Sequence, residues 1–498
     1  MGSPPRPSYV IAISAYISWT VWFLFGHIRD FIRDVFWASK ARKDYAPIRQ
    51  SYEDFYTRRV FYRLHDCFNR PIASAPSAWV DVLHRTPVNE DKPLELTGDQ
   101  SKVLNLSSYN YLGFAASDEY CTPRVLDTLD RLGWGACCSR SEAGTTDKHV
   151  ELEETVAEFL GVEAAITFPM GFATNAFNIP VIVGKGCLII SDSLNHASIV
   201  NGSRGSGAKI KVFKHDNMTH LEQILRTSIA EGQPRTRRPW KKILIIVEGI
   251  YSMEGEICSN LKTIVALKKK YKAYLFLDEA HSIGAIGETG RGATEHAGVN
   301  PRDVDVMMGT FTKSFGSCGG YIGGSKQLIK CIRNHCPAHL HATSMSPPAA
   351  EQVISALRLI MNKAGNGRGP QKIRTLRDNS NYVRKRLIDL GLEVLGDFDS
   401  PVMPVMIYNP GKLALFSRLC FRDGVAVVMV GFPATTLVNS RTRLCISAAH
   451  TKEDLDYALE VIEDVADQLV MRYRPKDHKK ERKVRSAASH MMKAKAGG

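Results

Sequence analysis

The sequence predicts an α/β fold: a mostly parallel sheet covered by helices, followed by a smaller C-terminal α+β domain and preceded by an N-terminal membrane helix. Three observations carry this expectation. From Ala164 to about Gly324, short near-continuous apolar runs alternate with helical or loop segments; strands apolar all round must be covered on both faces, as in parallel sheets. After roughly residue 370 that alternation gives way to a long helix around Asn379–Leu390, strand-like pieces near Val402–Ile407 and Arg443–Ile446, and a final helix. Near the start, Tyr9–Gly26 carries no charge.

That uncharged run reaches the minimum of about 18 residues for a spanning helix, with Tyr and Trp available for the interfaces. A cleaved signal peptide and a helix lying in the membrane surface are the alternatives. Against the signal peptide stand a basic region of Arg6 alone, bulky aromatics and no small-residue cleavage site. Arg29, Arg33, Lys40, Arg42, Lys43 and Arg49 follow the run, so the positive-inside rule places the rest of the chain in the cytosol. The expected organisation is an anchor with a basic juxtamembrane segment over residues 1–50 and a linking segment over 51–150. A large domain over 151–370, a small domain over 371–472 and a basic, disordered tail over 473–498 complete it.

The formal net charge of +14 raises the question of a nucleic-acid partner. Its location answers it: Arg472–Gly498 holds ten Lys/Arg against two acids, a net of +8. No basic helix with interleaved aromatics stands in the body, which argues against nucleic acid; the tail suits an anionic membrane surface. The eleven cysteines form no repeated CxxC pairs and mostly sit in apolar contexts. They read as small core residues in a reducing compartment rather than a disulfide framework or zinc site.

Within the body, Leu104–Gly113 is a strand-like run breaking into an Asn/Gly turn, and Gly133–Thr146 is a glycine- and hydroxyl-rich connection. It leads into a helix over Glu151–Leu160 stopped at Gly161. Strands are expected at Ala164–Phe168, Cys187–Ile190, Ile243–Val247, Ala273–Leu277 and Val304–Met308, with Gly232–Lys242 as an exposed polar connector. The final helix opens on Thr451-Lys-Glu-Asp454, a capping-box-like start, and runs to about Met471.

Residues that do chemistry come just after these strands. Gly171-Phe-Ala-Thr-Asn175 follows the first, where glycine and a helix start offer free backbone N–H groups to a phosphate. Ser191–Ser198, with His196, follows the second; Asp278-Glu-Ala-His281 and then Thr310-Phe-Thr-Lys313 follow later ones. In open parallel sheets the ligand crevice lies beyond the carboxyl ends of the strands, so these segments should converge. Each has a plain reading too: a turn glycine, a helix-capping histidine, ordinary strand-end carboxylates, a solvated lysine. Lys313 lacks the glycine immediately before it that a phosphate-binding P-loop requires. A lysine among two histidines and an aspartate also repels a metal ion, so no metal site is expected.

The combination fits pyridoxal 5′-phosphate (PLP). Lys313 would hold the aldehyde as an imine, and Asp278 would keep the pyridine nitrogen protonated. His196 could stack on the ring face and His281 hydrogen-bond the phenolic oxygen, while Gly171, Phe172, Thr310 and Thr312, with Asn175 alongside, would form the cofactor cradle.

These motifs are recognisable as a set. Asp278-Glu-Ala-His281, Gly309–Gly316 and Ser447-Ala-Ala-His-Thr451 resemble the α-oxoamine synthases, PLP enzymes of fold type I. Val247–Gly255, Tyr271–Tyr274, Asp305–Gly316 and Val430–Thr435 resemble the lysine-bearing catalytic subunits of the serine palmitoyltransferase branch, over roughly residues 50–470. The resemblance implies decarboxylating condensation of L-serine with a long-chain acyl-CoA to 3-oxosphinganine, the entry to sphingolipid synthesis. It implies Lys313 as the base once serine displaces it, and Arg443 holding the serine carboxylate with Asn110 and His196 nearby. Arg441 is a near neighbour that could be confused with Arg443. Thr343 and Ser344 resemble a segment that reaches a neighbouring subunit's cofactor phosphate. A sister subunit in a heterodimer, small regulatory subunits and an endoplasmic reticulum membrane are implied as well. Relatives usually carry a second proline after the Thr of Pro433-Ala-Thr435, where this chain has Thr436. The competing readings are 5-aminolevulinate synthase, 2-amino-3-ketobutyrate ligase and a non-catalytic scaffold subunit; the presence of Lys313, His196 and Asp278 together argues against the last.

Overall fold

The computed structural model describes residues 7–36, 46, 51–87 and 94–473. Arg6, the basic residues Lys40, Arg42, Lys43 and Arg49, and the tail from residue 474 lie outside the described residues. The uncharged run forms helix α1 (Tyr9–Phe36), which continues through the charged stretch after Gly26. Among the described residues it is the one helix long and apolar enough to cross a membrane. Its buried positions are Ala15, Trp19 and Gly26. Trp19 Nε1 donates to Leu437 O at 2.9 Å, and Asn409 Nδ2 donates to Ser18 Oγ at 2.8 Å. Helix α2 (Ser51–Arg59) packs beside it, with Arg58 and Arg59 both paired to Asp30. Gly26 permits that approach: a Cβ there would lie 2.8 Å from the Phe55 ring.

Strands β1 (Trp79–Pro87) and β2 (Leu94–Asn105) form an antiparallel pair. The central sheet is built from β3 (Ala164–Phe168), β4 (Leu188–Asp192), β5 (Lys209–Phe213), β6 (Ile243–Glu248), β7 (Tyr274–Asp278), β8 (Val306–Thr310) and β9 (Gly320–Gly324). Their order is β3-β9-β8-β7-β6-β4-β5, and β9 alone runs antiparallel to its neighbours. The sheet is therefore mostly parallel, as the apolar runs require. Alternate side chains enter two different cores. Leu188, Ile190, Ile245, Leu275, Leu277 and Met307 face one, while Ile189, Leu244, Ile246, Phe276, Val306 and Met308 face the other. Fully burying one such side chain contributes about 1.5–3 kcal/mol, which is why neither face can turn polar.

The expected strand Ala164–Phe168 is found with its bounds unchanged, while the other four end one or two residues later, so that Asp192, Glu248, Asp278 and Thr310 are the last strand residues rather than the first loop residues. Two strands of this central sheet escaped the sequence pattern. β5 is an edge strand with exposed positions, and β9 is three-fifths glycine, lacking the side chains that periodicity reads. Its glycines are needed for packing: a Cβ on Gly320 would lie 2.8 Å from both Gly309 O and Thr174 Oγ1.

In the C-terminal part, β10 (Val402–Tyr408), β12 (Val428–Val430) and β13 (Ser440–Cys445) form an antiparallel sheet in the order β10-β13-β12. The short β11 (Val425–Ala426) instead pairs in parallel with β2. Leu104 and Leu106 share the core beneath with Val383, Phe416, Leu444 and Ile462. The long helix covers Arg368–Asp389, starting well before Asn379: its first half is polar, yet Ile373, Leu376, Ser380 and Val383 keep one buried face. The helix Lys452–Gln468 has the capping box that Thr451 and Asp454 foreshadow. The helix Asp147–Leu160 ends at left-handed Gly161 as expected and begins earlier, through a second capping box between Thr146 and His149. All eleven cysteines are free, and seven are buried.

Candidate active site

The carboxyl ends of β3, β4, β6, β7 and β8 surround a cavity of about 400 Å³. Lys313, three residues past β8, contributes its amine to the wall. Withdrawal from solvent pulls that amine down to about 8, although Asp278 and Glu248 act to raise it. Its Nζ lies 5.6 Å from the centre of the Tyr109 ring.

Asp278 closes β7 with its carboxylate buried. Its Oδ2 accepts from Asn175 Nδ2 at 2.7 Å and its Oδ1 from Ala280 N at 2.9 Å. Those bonds fix the direction in which the carboxylate points. Glu279, its neighbour in sequence, turns away: it accepts from Ala293 N and the Ser282 hydroxyl, and burial pushes it up to about 7. Only the aspartate of that pair reaches the cavity.

His196 caps the helix Ala197–Gly205, its Nδ1 accepting from Ser198 N at 3.2 Å, so the capping role and the cavity role coexist. Burial lowers its pKa, with Asp278 opposing and Lys313 assisting. Phe172 lies edge-on to it at 6.1 Å between ring centres. His281 Nδ1 and the Tyr111 hydroxyl are 2.8 Å apart, and the Tyr109 ring lies 5.3 Å away. Burial, then Lys313 and His196, hold His281 well below its ordinary range and keep it neutral.

The helix Gly171–Ile182 starts against this cavity with no side-chain cap from Met170, which leaves its first N–H groups to a ligand. Gly171 makes the closest approach: a Cβ there would lie 2.7 Å from Thr310 Oγ1. Thr310 and Thr312 have their hydroxyls 2.8 Å apart across from it. A glycine with no room for a side chain, free N–H groups and two hydroxyls make a cradle of phosphate size and chemistry. A carboxylate, two neutral imidazoles and an amine of lowered pKa face the space beside it. This donor set fits PLP.

Arg443 enters from β13. Its Nη1 lies 3.5 Å from Ser252 O, its Nη2 meets the Tyr109 hydroxyl, and its buried Nε has no partner among the described residues. Arg441 shares its strand face but is spent elsewhere, donating to Met253 O at 2.7 Å and pairing with Glu254 at 3.6 Å. Asn110 does not join the group. Its Nδ2 donates to Pro76 O at 2.9 Å and its Oδ1 accepts from Ala115 N, so its amide serves the turn, and Tyr109 takes the place at the cavity. Thr343 and Ser344 also stand apart from it: Thr343 bridges to Ser139, and Ser344 N donates to Cys138 O.

Sequence reasoning passed over Glu248 and Tyr109 as site residues. Glu248 ends β6 as Asp278 ends β7, so the strand-end rule applied evenly would have found it. Burial, then Asp278, pushes its carboxyl well up, and its Oε1 accepts from His196 N. Tyr109 sits in the expected Asn/Gly turn, where only the fold brings it to Lys313 and Arg443.

Residues 101–462 match the family model for aminotransferase class I and II. The chain belongs to that family. Within the class I and II aminotransferases it is similar to long chain base biosynthesis protein 2a of Arabidopsis thaliana, at 58% identity over 95% of this chain and 97% of the relative. It is also similar to serine palmitoyltransferase 3 of Homo sapiens, at 49% identity over 93% and 85% respectively. A solved structure described as SPT with PLP internal aldimine superposes with a TM-score of 0.73 at 26% identity, over 85% of this chain and all of that one.

Proposed function

We infer that the chain is a serine palmitoyltransferase catalytic chain, condensing L-serine with palmitoyl-CoA to 3-oxosphinganine, CoA and carbon dioxide. The observation that carries this is Lys313 facing Asp278, His196 and His281 in a chain whose near full-length relatives bear that name. The cofactor is PLP, which supplies an electron sink for negative charge developing at the serine Cα. Lys313 would hold it, Asp278 would pair with its ring nitrogen, His196 would cover its ring and His281 would hydrogen-bond its phenolic oxygen. Gly171, Phe172, Thr310 and Thr312 would take the phosphate, and Asn175 orients Asp278.

Arg443 receives the serine carboxylate, satisfying the buried Nε that has no other partner among the described residues. An amine brought down to about 8 is neutral often enough near neutral pH to take the Cα proton, so Lys313 is the base. The new bond joins the serine Cα to the acyl carbonyl carbon as the CoA thiolate leaves; the bond from Cα to the serine carboxylate then breaks, releasing carbon dioxide, and Cα takes back a proton from the Lys313 ammonium. The neutral His196 and His281 neither repel a cationic ring nor compete for the carboxylate.

The chain acts with a sister subunit and on a membrane of the endoplasmic reticulum, its catalytic part in the cytosol. Support for attachment is the row of outward apolar side chains on α1, among them Ile13, Ile17, Leu24, Phe31 and Val35. Trp19, midway along that helix, is tied to Leu437 O, which favours a helix lying along the small domain with its outer face in the lipid. The test of the activity is spectroscopic. The PLP absorbance of the purified complex with its sister subunit should shift with L-serine and far less with glycine; equal responses to both would contradict the serine assignment.

A further inference from the structure

A buried charged cluster sits behind the cavity wall and belongs to none of the roles above. His215 follows β5; its Nδ1 lies 3.0 and 3.1 Å from the two carboxylate oxygens of Asp192, and its Nε2 lies 2.8 Å from Glu256 Oε2. Two carboxylates accept, so both ring nitrogens must donate, and only the imidazolium can do that. The side chain is 10% exposed and Asp192 is 2% exposed, so these are charge-assisted bonds shielded from water. The Tyr251 ring lies edge-on at 4.4 Å, and His215 N donates to Ser193 Oγ at 3.0 Å.

The partners of His215 lead into two walls of the site. Asp192 ends β4 and its Oδ1 also accepts from Leu194 N at 2.9 Å, shaping the turn that delivers His196. Glu256 belongs to the hairpin closed by the Ile250–Ile257 bridge and by Tyr251 N donating to Glu256 O at 3.0 Å. At the tip of that hairpin, Ser252 and Met253 line the cavity and contact Arg443. We propose that His215 is a positioning residue of this site: as an imidazolium shared by Asp192 and Glu256, it fixes the hairpin that seats Arg443 against the turn that carries His196.

Charge keeps the link closed. Burial alone would lower the His215 pKa, but the hydrogen bonds to Asp192 and Glu256 hold it up to about 10, so it stays protonated through neutral pH. Without it, two carboxylates would face one another beside Glu254, which burial has already pushed up to about 7. Like charges so placed repel, and the hairpin is the movable party because Glu256 is 29% exposed while Asp192 is held in the sheet. The inference rests on the assignment of Arg443 to the serine carboxylate, so its signature is a change in serine affinity.

The experiment compares wild type, Glu256→Ala, Glu256→Gln and His215→Gln as full chains with the sister subunit and PLP bound. The readouts are kcat, KM for serine, KM for palmitoyl-CoA, serine affinity from the cofactor absorbance, and Tm. Glu256→Ala should weaken serine binding about ten- to hundredfold, as expected for a lost hydrogen bond to a charged group, while KM for palmitoyl-CoA moves by less than about twofold. Glu256→Gln, whose carbonyl oxygen still accepts from Nε2, should recover most of that loss. His215→Gln serves one carboxylate at best and should lose at least as much as Glu256→Ala. Unchanged serine affinity in both Glu256→Ala and His215→Gln would overturn the proposal, as would a fall in Tm alone or a Glu256→Gln variant no better than Glu256→Ala. A wild-type complex with no response to serine would overturn the functional reading itself, and this inference with it.

Discussion

Lys313 shows how position, more than residue type, makes a reactive group. It follows a strand buried on both faces, in a turn where Gly316 takes a left-handed φ of +61°, and its amine emerges beside Asp278 rather than in solvent. Burial outweighs the neighbouring carboxylates and brings the amine to about 8. The sign gives a prediction for the cofactor-free chain. Below about 8 the amine is protonated and cannot attack an aldehyde, so the rate of PLP capture should rise about tenfold per pH unit up to that point and level off above it. Stopped-flow absorbance measures this directly; a rate still climbing steadily to pH 10.5, the ordinary lysine value, would show an unperturbed amine. Arg443 makes the same point in reverse. Its type and strand pattern were legible beside Arg441, but only side-chain partners separate them: Arg441 is consumed by Met253 and Glu254, while Arg443 Nε has no partner among the described residues.

At the scale of elements, the sequence was most informative where burial is two-sided and least where side chains are small or shared. The strands β4, β6, β7 and β8 could be read from apolar runs because alternate residues fill two cores. β9 could not, since a strand of Gly320, Gly323 and Gly324 has no pattern to read, although close packing depends on it. Asn110 shows that a family motif carries a residue to a neighbourhood without its side-chain direction; the amide here is engaged by Pro76 and Ala115. Helix α1 shows a further limit. Composition marks it as apolar, but its docked face, with Trp19 on Leu437 and Phe23 stacked at 5.6 Å on Phe55, is a tertiary fact. Removing Met1–Gly26 takes away most of the outward apolar face while leaving α2 and the catalytic body intact. The shortened chain expressed alone should leave the membrane fraction, as read by sedimentation. Continued sedimentation with membranes would place the anchor elsewhere.

For the whole molecule, the fold brings together residues that are distant in the chain. Tyr109, Asn175, His196, Glu248, Asp278, Lys313 and Arg443 line one cavity because parallel strands deliver their carboxyl ends to one edge and β13 supplies the opposite wall. That convergence was foreseeable from the strand-end rule; the closure by Arg443 and by the Ser252–Met253 hairpin was not, since no local pattern records which loop meets which strand. We propose that this cavity condenses serine with an acyl-CoA through Lys313. The most direct measurement is serine-dependent CoA release from palmitoyl-CoA by the complex with its sister subunit, wild type against Lys313→Ala, with both shown to be folded and assembled. Wild type should release CoA and carbon dioxide in equal amounts, and Lys313→Ala should be slower by at least about 10²–10⁴-fold, the share a positioned base supplies. A folded, assembled Lys313→Ala complex that condenses serine with palmitoyl-CoA at the wild-type rate would contradict it.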